Sequence, residues 1–180
     1  MKKIIATLVF VAAATFNAQA QGVEIKTNPF GSIVGAYNVT AEIQLAELSN
    51  TTVLVSAWYN TEDFKDWLYT DKDGGFSAGV RKYFNRYTDQ GLFLGAAARY
   101  IPRSISGGYY DYNTYEWVNT GDRSSDYASL GFTVGYKYVY NDKITIDAFM
   151  GGGRILWEQN EGDMWAPAEF ISGFNFGYRF

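Results

Sequence analysis

The sequence predicts an all-β protein, an eight-stranded antiparallel up-and-down transmembrane β-barrel. Three observations lead there. From residue 21 onward apolar side chains alternate with polar or small ones at a period of two, the mark of strands with one face in an apolar environment. The links between these segments are short and long by turns, as in a meander with tight turns at one end and loops at the other. Aromatic residues make up 18% of the 180 residues, although the hydrophobic total of 47% is ordinary. The surplus is one of kind, and aromatic girdles are what a membrane barrel carries.

Residues 1–20 stand apart. Lys2 and Lys3 form a positive start, Ile4 to Phe16 is apolar, and Asn17-Ala18-Gln19-Ala20 ends in the small-x-small pattern of a signal-peptidase site. About 13 apolar residues fall short of the roughly 20 that span a bilayer, so the segment reads as a secretory signal peptide cleaved after Ala20. Residues 21–180 then form one outer-membrane barrel domain. Losing two lysines takes the formal net charge from -4 to -6.

The strands fall at roughly 22–31, 36–46, 52–60, 75–85, 91–101, 126–140, 144–157 and 168–180. In the last of them Phe174, Phe176, Tyr178 and Phe180 share one face, and Gly173, Asn175, Gly177 and Arg179 the other. Leu130, Phe132, Val134, Tyr136 and Tyr138 separate in the same way from Gly131, Thr133, Gly135 and Lys137. So do Val39, Ala41, Ile43 and Leu45 from Thr40, Glu42 and Gln44, and Phe76, Ala78 and Val80 from Ser77, Gly79 and Arg81. Links 47–51, 86–90 and 141–143 are short, and 61–74, 102–125 and 158–167 are long. The first link, 32–35, breaks the rule: its place calls for a long loop.

A soluble lipocalin-like barrel and a membrane barrel share this periodicity but turn opposite faces outward. Three features favour the membrane. One is the signal peptide. Another is the terminal aromatic Phe180, which resembles the signal that directs outer-membrane proteins to their assembly machinery. The third is a pair of aromatic belts: Tyr83, Phe84, Phe93, Tyr138, Tyr140 and Phe180 at the short-turn end, and Trp58, Tyr59, Phe76, Tyr100, Tyr127, Trp157 and Phe170 at the long-loop end. On this register the lumen receives Glu24, Lys26, Glu42, Arg81, Arg99, Lys137, Asp147 and Arg179, three acidic and five basic groups. An eight-stranded barrel is just wide enough for side chains to fill. The charges are therefore expected to pair with one another, with glycines such as Gly79, Gly95, Gly135 and Gly177 making room for their stems, in a plugged lumen.

Composition narrows the chemistry. With no His and no Cys, neither a Ser-His-Asp triad, nor a thiolate nucleophile, nor a disulfide is available. The acidic balance argues against nucleic acid. No cofactor, metal or catalytic residue is expected. Acidic residues of the long loops, Glu62, Asp63, Asp66, Asp71, Asp73, Glu158, Glu161 and Asp163, read as a solvated rim. Asp71-Lys72-Asp73-Gly74 resembles the start of a calcium loop but lacks the closing Glu and reads as a turn. A lipid- or lipopolysaccharide-modifying enzyme using carboxylates alone, and a narrow channel, are the alternatives to a non-enzymatic structural or surface-interaction protein.

The longest link carries the one candidate binding surface. In Gly107-Gly108-Tyr109-Tyr110-Asp111-Tyr112-Asn113-Thr114-Tyr115-Glu116-Trp117 aromatics interleave with small and polar residues, a composition like that of antibody paratopes. It alternates well enough for a hairpin that prolongs its flanking strands, turning near 112–114. Tyr109, Tyr110, Tyr112, Tyr115 and Trp117 are thus candidates for holding an extracellular protein or glycan; packing on cross-strand neighbours and the outer leaflet is the plainer reading.

Ile25-Lys26-Thr27-Asn28-Pro29-Phe30, followed by Tyr37-Asn38-Val39-Thr40-Ala41-Glu42, resembles the Lys-x-Asn-Pro and downstream Glu pattern of an uncharacterised Bacteroidetes family of small outer-membrane β-barrel proteins. The resemblance covers roughly residues 23–60. It implies an eight-stranded barrel and no assigned activity. For a barrel of the OmpA/OmpX general type in the outer membrane, the expected partners are outer-membrane lipid, lipopolysaccharide and, through Phe180, the barrel-assembly machinery.

Overall fold

A computed structural model describes residues 20–45, 50–64, 72–85, 89–112, 115–159 and 167–180. Residues 1–19 of the expected signal peptide, and Asp66, Trp67, Asp71, Glu161, Asp163 and Trp165, lie outside the described residues. In chain order the elements are β1 (Ala20–Thr27), α1 (Pro29–Ile33), β2 (Ala36–Leu45), β3 (Thr51–Asn60), β4 (Gly74–Tyr83), β5 (Gly91–Ile101), β6 (Ser104–Asp111), β7 (Glu116–Ser124), β8 (Tyr127–Tyr140), β9 (Ile144–Glu158) and β10 (Ala168–Arg179).

Eight strands close an antiparallel barrel in the order β1-β10-β9-β8-β5-β4-β3-β2. The remaining two, β6 and β7, form a separate hairpin that rises from β5 and β8. The expected eight-stranded, antiparallel, up-and-down barrel is therefore the observed one. Closure runs between β1 and β10, with Glu24 opposite Arg179 and Thr27 opposite Phe176. The Phe180 N–H also donates to the Val23 carbonyl at 2.9 Å. Between β8 and β9, Asn141 and Asp142 take φ of +50° and +55°, the left-handed pair that a type I′ turn requires, and Lys143 N–H closes on the Tyr140 carbonyl.

The first strand departs from expectation. It ends at Thr27, and residues 29–33 are helical. Proline explains the break: Pro29 has no N–H to donate to a ladder, and its fixed φ suits the first position of a helix. Asn28 caps that helix, its side-chain oxygen accepting from Gly31 N–H at 3.0 Å. Gly35, at φ +89°, then returns the chain to β2 against Thr61, whose Oγ1 lies 2.1 Å from where a Cβ would stand. The Asn-Pro-Phe signature is thus the device that stops β1. Because β1 stops early, no ladder joins the upper part of β2 to the upper part of β10 among the described residues. "Upper" here denotes the long-loop end.

Side-chain polarity is the reverse of a water-soluble barrel. Val39, Phe76, Val80, Leu92, Leu94, Phe132, Val134, Tyr136, Met150 and Phe176 are exposed on the outer wall, whereas Glu24, Lys26, Glu42, Arg81, Lys137 and Asp147 are buried inside. Four aromatics expected in the outer belts prove to point inward. Tyr83 and Phe93 share the parity of Arg81 and Gly95 and are buried with their rings 5.4 Å apart. Tyr127 is wholly buried, and Trp58 lies under the Arg99 guanidinium at 5.0 Å. Outer-face aromatics that remain are Tyr37, Tyr59, Phe76, Tyr100, Trp157 and Phe170 towards the long loops, and Phe84, Tyr138, Tyr140, Tyr178 and Phe180 towards the short turns.

Candidate functional site

The lower half of the lumen holds one continuous ionic cluster. β1 supplies Glu24 and Lys26, β2 Glu42, β4 Arg81, β8 Lys137, β9 Asp147 and β10 Arg179, each on the inward parity of its strand. Lys26 Nζ lies 2.6 Å from Glu42 Oε2, 2.7 Å from Asp147 Oδ2 and 3.0 Å from Glu24 Oε2. Arg81 Nη1 reaches the same Glu42 and Asp147 oxygens at 3.1 and 3.2 Å, its guanidinium 4.3 Å from the Phe93 ring centroid. Lys137 Nζ meets Glu24, Glu42 and Asp89 at 2.9, 3.1 and 2.8 Å. Arg179 pairs with Glu24 and, at 2.7 Å, with Asp89.

Glu42 is the hub. Its Oε2 receives Lys26 and Arg81, and its Oε1 receives Lys137, the Thr52 hydroxyl at 2.9 Å and the Tyr83 hydroxyl at 2.6 Å. Five donors on one carboxylate saturate its roughly four lone-pair directions. Space for these stems comes from missing side chains: a Cβ on Gly177 would stand 2.6 Å from Lys26 Cγ.

Arg99 does not join this cluster. Higher in the barrel it pairs with Glu169 at 2.7 Å, and Glu169 also accepts from the Ser129 hydroxyl. Beside them Arg103 Nη2 donates to Glu158 Oε1 and Ser125 Oγ, both at 3.0 Å.

Two further acidic groups, Glu169 and Asp89, are buried in the lumen. Glu169 sits on the inward parity of β10 and was readable from it. Asp89 was not, because it belongs to the short β4–β5 link and folds back into the barrel mouth. With both included, the expected basic surplus disappears. The lower cluster sets Glu24, Glu42, Asp89 and Asp147 against Lys26, Arg81, Lys137 and Arg179, and above it Glu169 answers Arg99.

Between the two layers the lumen is hollow, which corrects the expectation of a fully filled interior. A cavity of about 280 Å³ is lined by Thr40, Leu54, Ser56, Trp58, Ser77, Gly79, Gly95, Ala97, Gly131, Thr133, Phe149, Ile171 and Gly173, with Arg81 and Asn175 also bounding it. Small residues at these inward positions leave the space unfilled. At the missing ladder, side chains bridge the wall: Asn38 Nδ2 donates to Asn175 Oδ1 at 3.2 Å, and the Phe30 and Phe174 rings lie 5.4 Å apart.

The hairpin turns where expected, between Tyr112 and Tyr115, both about four-fifths exposed at its tip (79% and 77%). Tyr109 and Tyr110 lie on β6 opposite Val118 and Trp117, while the side chains of Tyr109, Tyr110 and Trp117 are outside the described residues. Its root is fastened by Ser104 Oγ donating to Asp73 Oδ2 at 2.6 Å and by a bridge between Lys72 and Arg103. Phe180 stands on the outer face, its ring 5.0 Å from that of Tyr178. Among the described residues no group of three His, Cys, Asp or Glu side chains is placed to hold a metal ion.

A profile described as "Protein of unknown function (DUF3575)" matches residues 6–172. The chain belongs to the DUF3575 family. This places it in a family of unknown function, here with an eight-stranded closed barrel. No match was found among curated proteins or solved structures.

Proposed function

We propose that this DUF3575 member is a non-enzymatic outer-membrane barrel of the OmpA/OmpX general type, exported by residues 1–20, inserted by the barrel-assembly machinery, and serving envelope structure or surface contact through its long-loop end. The observation that carries the reading is the inverted polarity of the wall. In water, so continuous an apolar outer face would far exceed the few hundred Å² that soluble proteins expose, at a cost of roughly 25 cal/mol per Å². In a bilayer the same face is solvated by lipid chains.

Strand length agrees with this. Seven of the eight wall strands have 10 to 15 residues, β1 alone being shorter at 8, and crossing takes about 9–11. The outer aromatics near both ends suit the two headgroup levels. The resemblance at residues 25–42 to small outer-membrane barrels of Bacteroidetes points the same way.

The neutralised cluster acts as a structural lock. Each carboxylate is held by several cations, so none is offered as an acid or base to a substrate, and no chain of like charges leads an ion through. The exposed hairpin tip, with Tyr112 and Tyr115, is the surface for an extracellular protein or glycan. The test is fractionation of the native host: the protein is expected in the outer membrane, with electrophoretic mobility that changes on boiling. Recovery in the soluble fraction overturns the reading.

A further inference from the structure

We infer that the cavity is a binding site for one slim, uncharged alkyl chain of a bilayer amphiphile, admitted sideways through the wall between β2 and β10. The inference rests on the membrane placement proposed above and adds a site to it.

The mouth is located by the missing ladder. Beyond Thr27 no backbone pairing joins β2 to β10 among the described residues, and Asn28, Tyr37, Asn38, Ser172 and Asn175, which flank that stretch, all border the cavity. There the wall is held by side chains, Asn38 with Asn175 and Phe30 with Phe174, in place of a ladder. Around that mouth the surface is apolar: Phe30, Ile33 and Val39 are all exposed, Ile33 by 81%. In the proposed placement they meet lipid chains, so the molecules adjacent to the opening are acyl chains.

Charge balance decides the class of occupant. The layers below and above the cavity are each internally neutralised, leaving no surplus charge to hold an ionic ligand. Amides and hydroxyls on its border pair with one another or with the lower layer: Thr40 with Ser56 at 2.8 Å, Asn38 with Asn175 at 3.2 Å and Asn175 with Asp147 at 3.0 Å. The apolar contacts on offer are Leu54, Trp58, Ala97, Phe149, Ile171 and glycine backbone, beside the small hydroxyls of Ser77 and Thr133 and the Glu169-paired Arg99. At about 280 Å³ the space is near the lower bound of small-molecule pockets, roughly 300 Å³. That admits a single chain of about nine water-sized groups, at ~30 Å³ each.

Tryptophan fluorescence reports both faces, because Trp58 faces the cavity and Trp157 the outer wall. Two single-tryptophan forms of the mature chain, with the other four tryptophans changed to Phe, are folded into dimyristoyl phosphatidylcholine vesicles and titrated with 10-bromodecan-1-ol. The expected result is saturable quenching of Trp58, half-complete at about tenfold less probe than Trp157 needs, while Trp157 quenching rises linearly with partitioned probe. Ser77→Leu and, independently, Thr133→Leu fill the cavity and are expected to remove the saturable component while heat-modifiable mobility persists. If either fails to fold, the other decides.

Trp58 quenching that merely parallels Trp157, or a saturable component that survives the filling variant, overturns the site and leaves the membrane reading standing. Equal saturation of Trp58 by water-soluble 2-bromoethanol overturns passage from the bilayer. An unquenched Trp157 overturns the membrane placement, and the inference with it.

Discussion

Lys26 Nζ and Glu42 Oε2, on adjacent strands, lie 2.6 Å apart with both side chains about 1% exposed. Neither charge is tolerable there alone, since burying an uncompensated ion costs several kcal/mol. Glu42→Gln keeps the shape but leaves Lys26, Arg81 and Lys137 sharing fewer carboxylate charges. It is expected to lower stability by about 3–5 kcal/mol, read as a lower urea midpoint for loss of the heat-modifiable form. Asp89→Asn, at the edge of the cluster, is expected to cost less, about 1–3 kcal/mol. An Asp89 effect larger than that of Glu42 contradicts the hub assignment.

The barrel was legible because its information is periodic. Alternation in 130–138 and 174–180 fixes which side chains face inward, and the alternating link lengths fix up-and-down order. Parity also carried Lys26, Glu42, Arg81, Lys137, Asp147 and Arg179 to one face, and their pairing follows from the cost of burying charge. Asp89 was illegible because a turn residue has no parity. Nearness to strand ends puts Tyr83 and Tyr127 in the belts, although their own parity sends them inward, where their hydroxyls donate to the Glu42 and Glu169 carboxylates. The cavity was missed for another reason: glycine and serine at inward positions say that side chains are absent, not whether a neighbour fills the space.

The lock predicts electrical silence. Ion pairs cross the lumen from β1 and β2 to β4, β8 and β9, so planar bilayers containing the purified barrel are expected to show no unitary conductance steps at neutral pH. Reproducible steps that scale with protein added would contradict a closed lower lumen.

The hairpin is separable from the barrel. Its two strands form their own sheet, so deleting residues 108–119 is expected to change barrel stability by no more than about 0.5 kcal/mol. On the surface-contact reading the same deletion, or Tyr112→Ser with Tyr115→Ser, lowers adhesion of whole cells to host protein or glycan arrays. Unchanged adhesion removes that role from the hairpin.

At the hairpin root, burial raises the Asp126 carboxyl but is outweighed by hydrogen bonds from Ser124, Tyr100 and the Arg103 backbone, leaving it below its usual range. A depressed folded value means that its contribution is present above the unfolded value, about 3.9, and is lost as pH falls through the folded one. Amide protection at residues 124–127, exchange corrected for its intrinsic pH dependence, is therefore expected to fall only below about pH 4, and Asp126→Asn is expected to flatten that dependence. A loss of protection between pH 5 and 7 would point to a different group.

The most direct test of the account is the environment of β8 read one residue at a time. The chain has no cysteine, so nitroxide labels are placed singly from Leu130 to Tyr138 in the barrel folded into vesicles. Labels at 130, 132, 134, 136 and 138 are expected to collide readily with oxygen and poorly with a water-soluble nickel chelate, while odd positions are shielded from oxygen. Nickel accessibility at the even positions would mean that the apolar face meets water, and would contradict a membrane barrel.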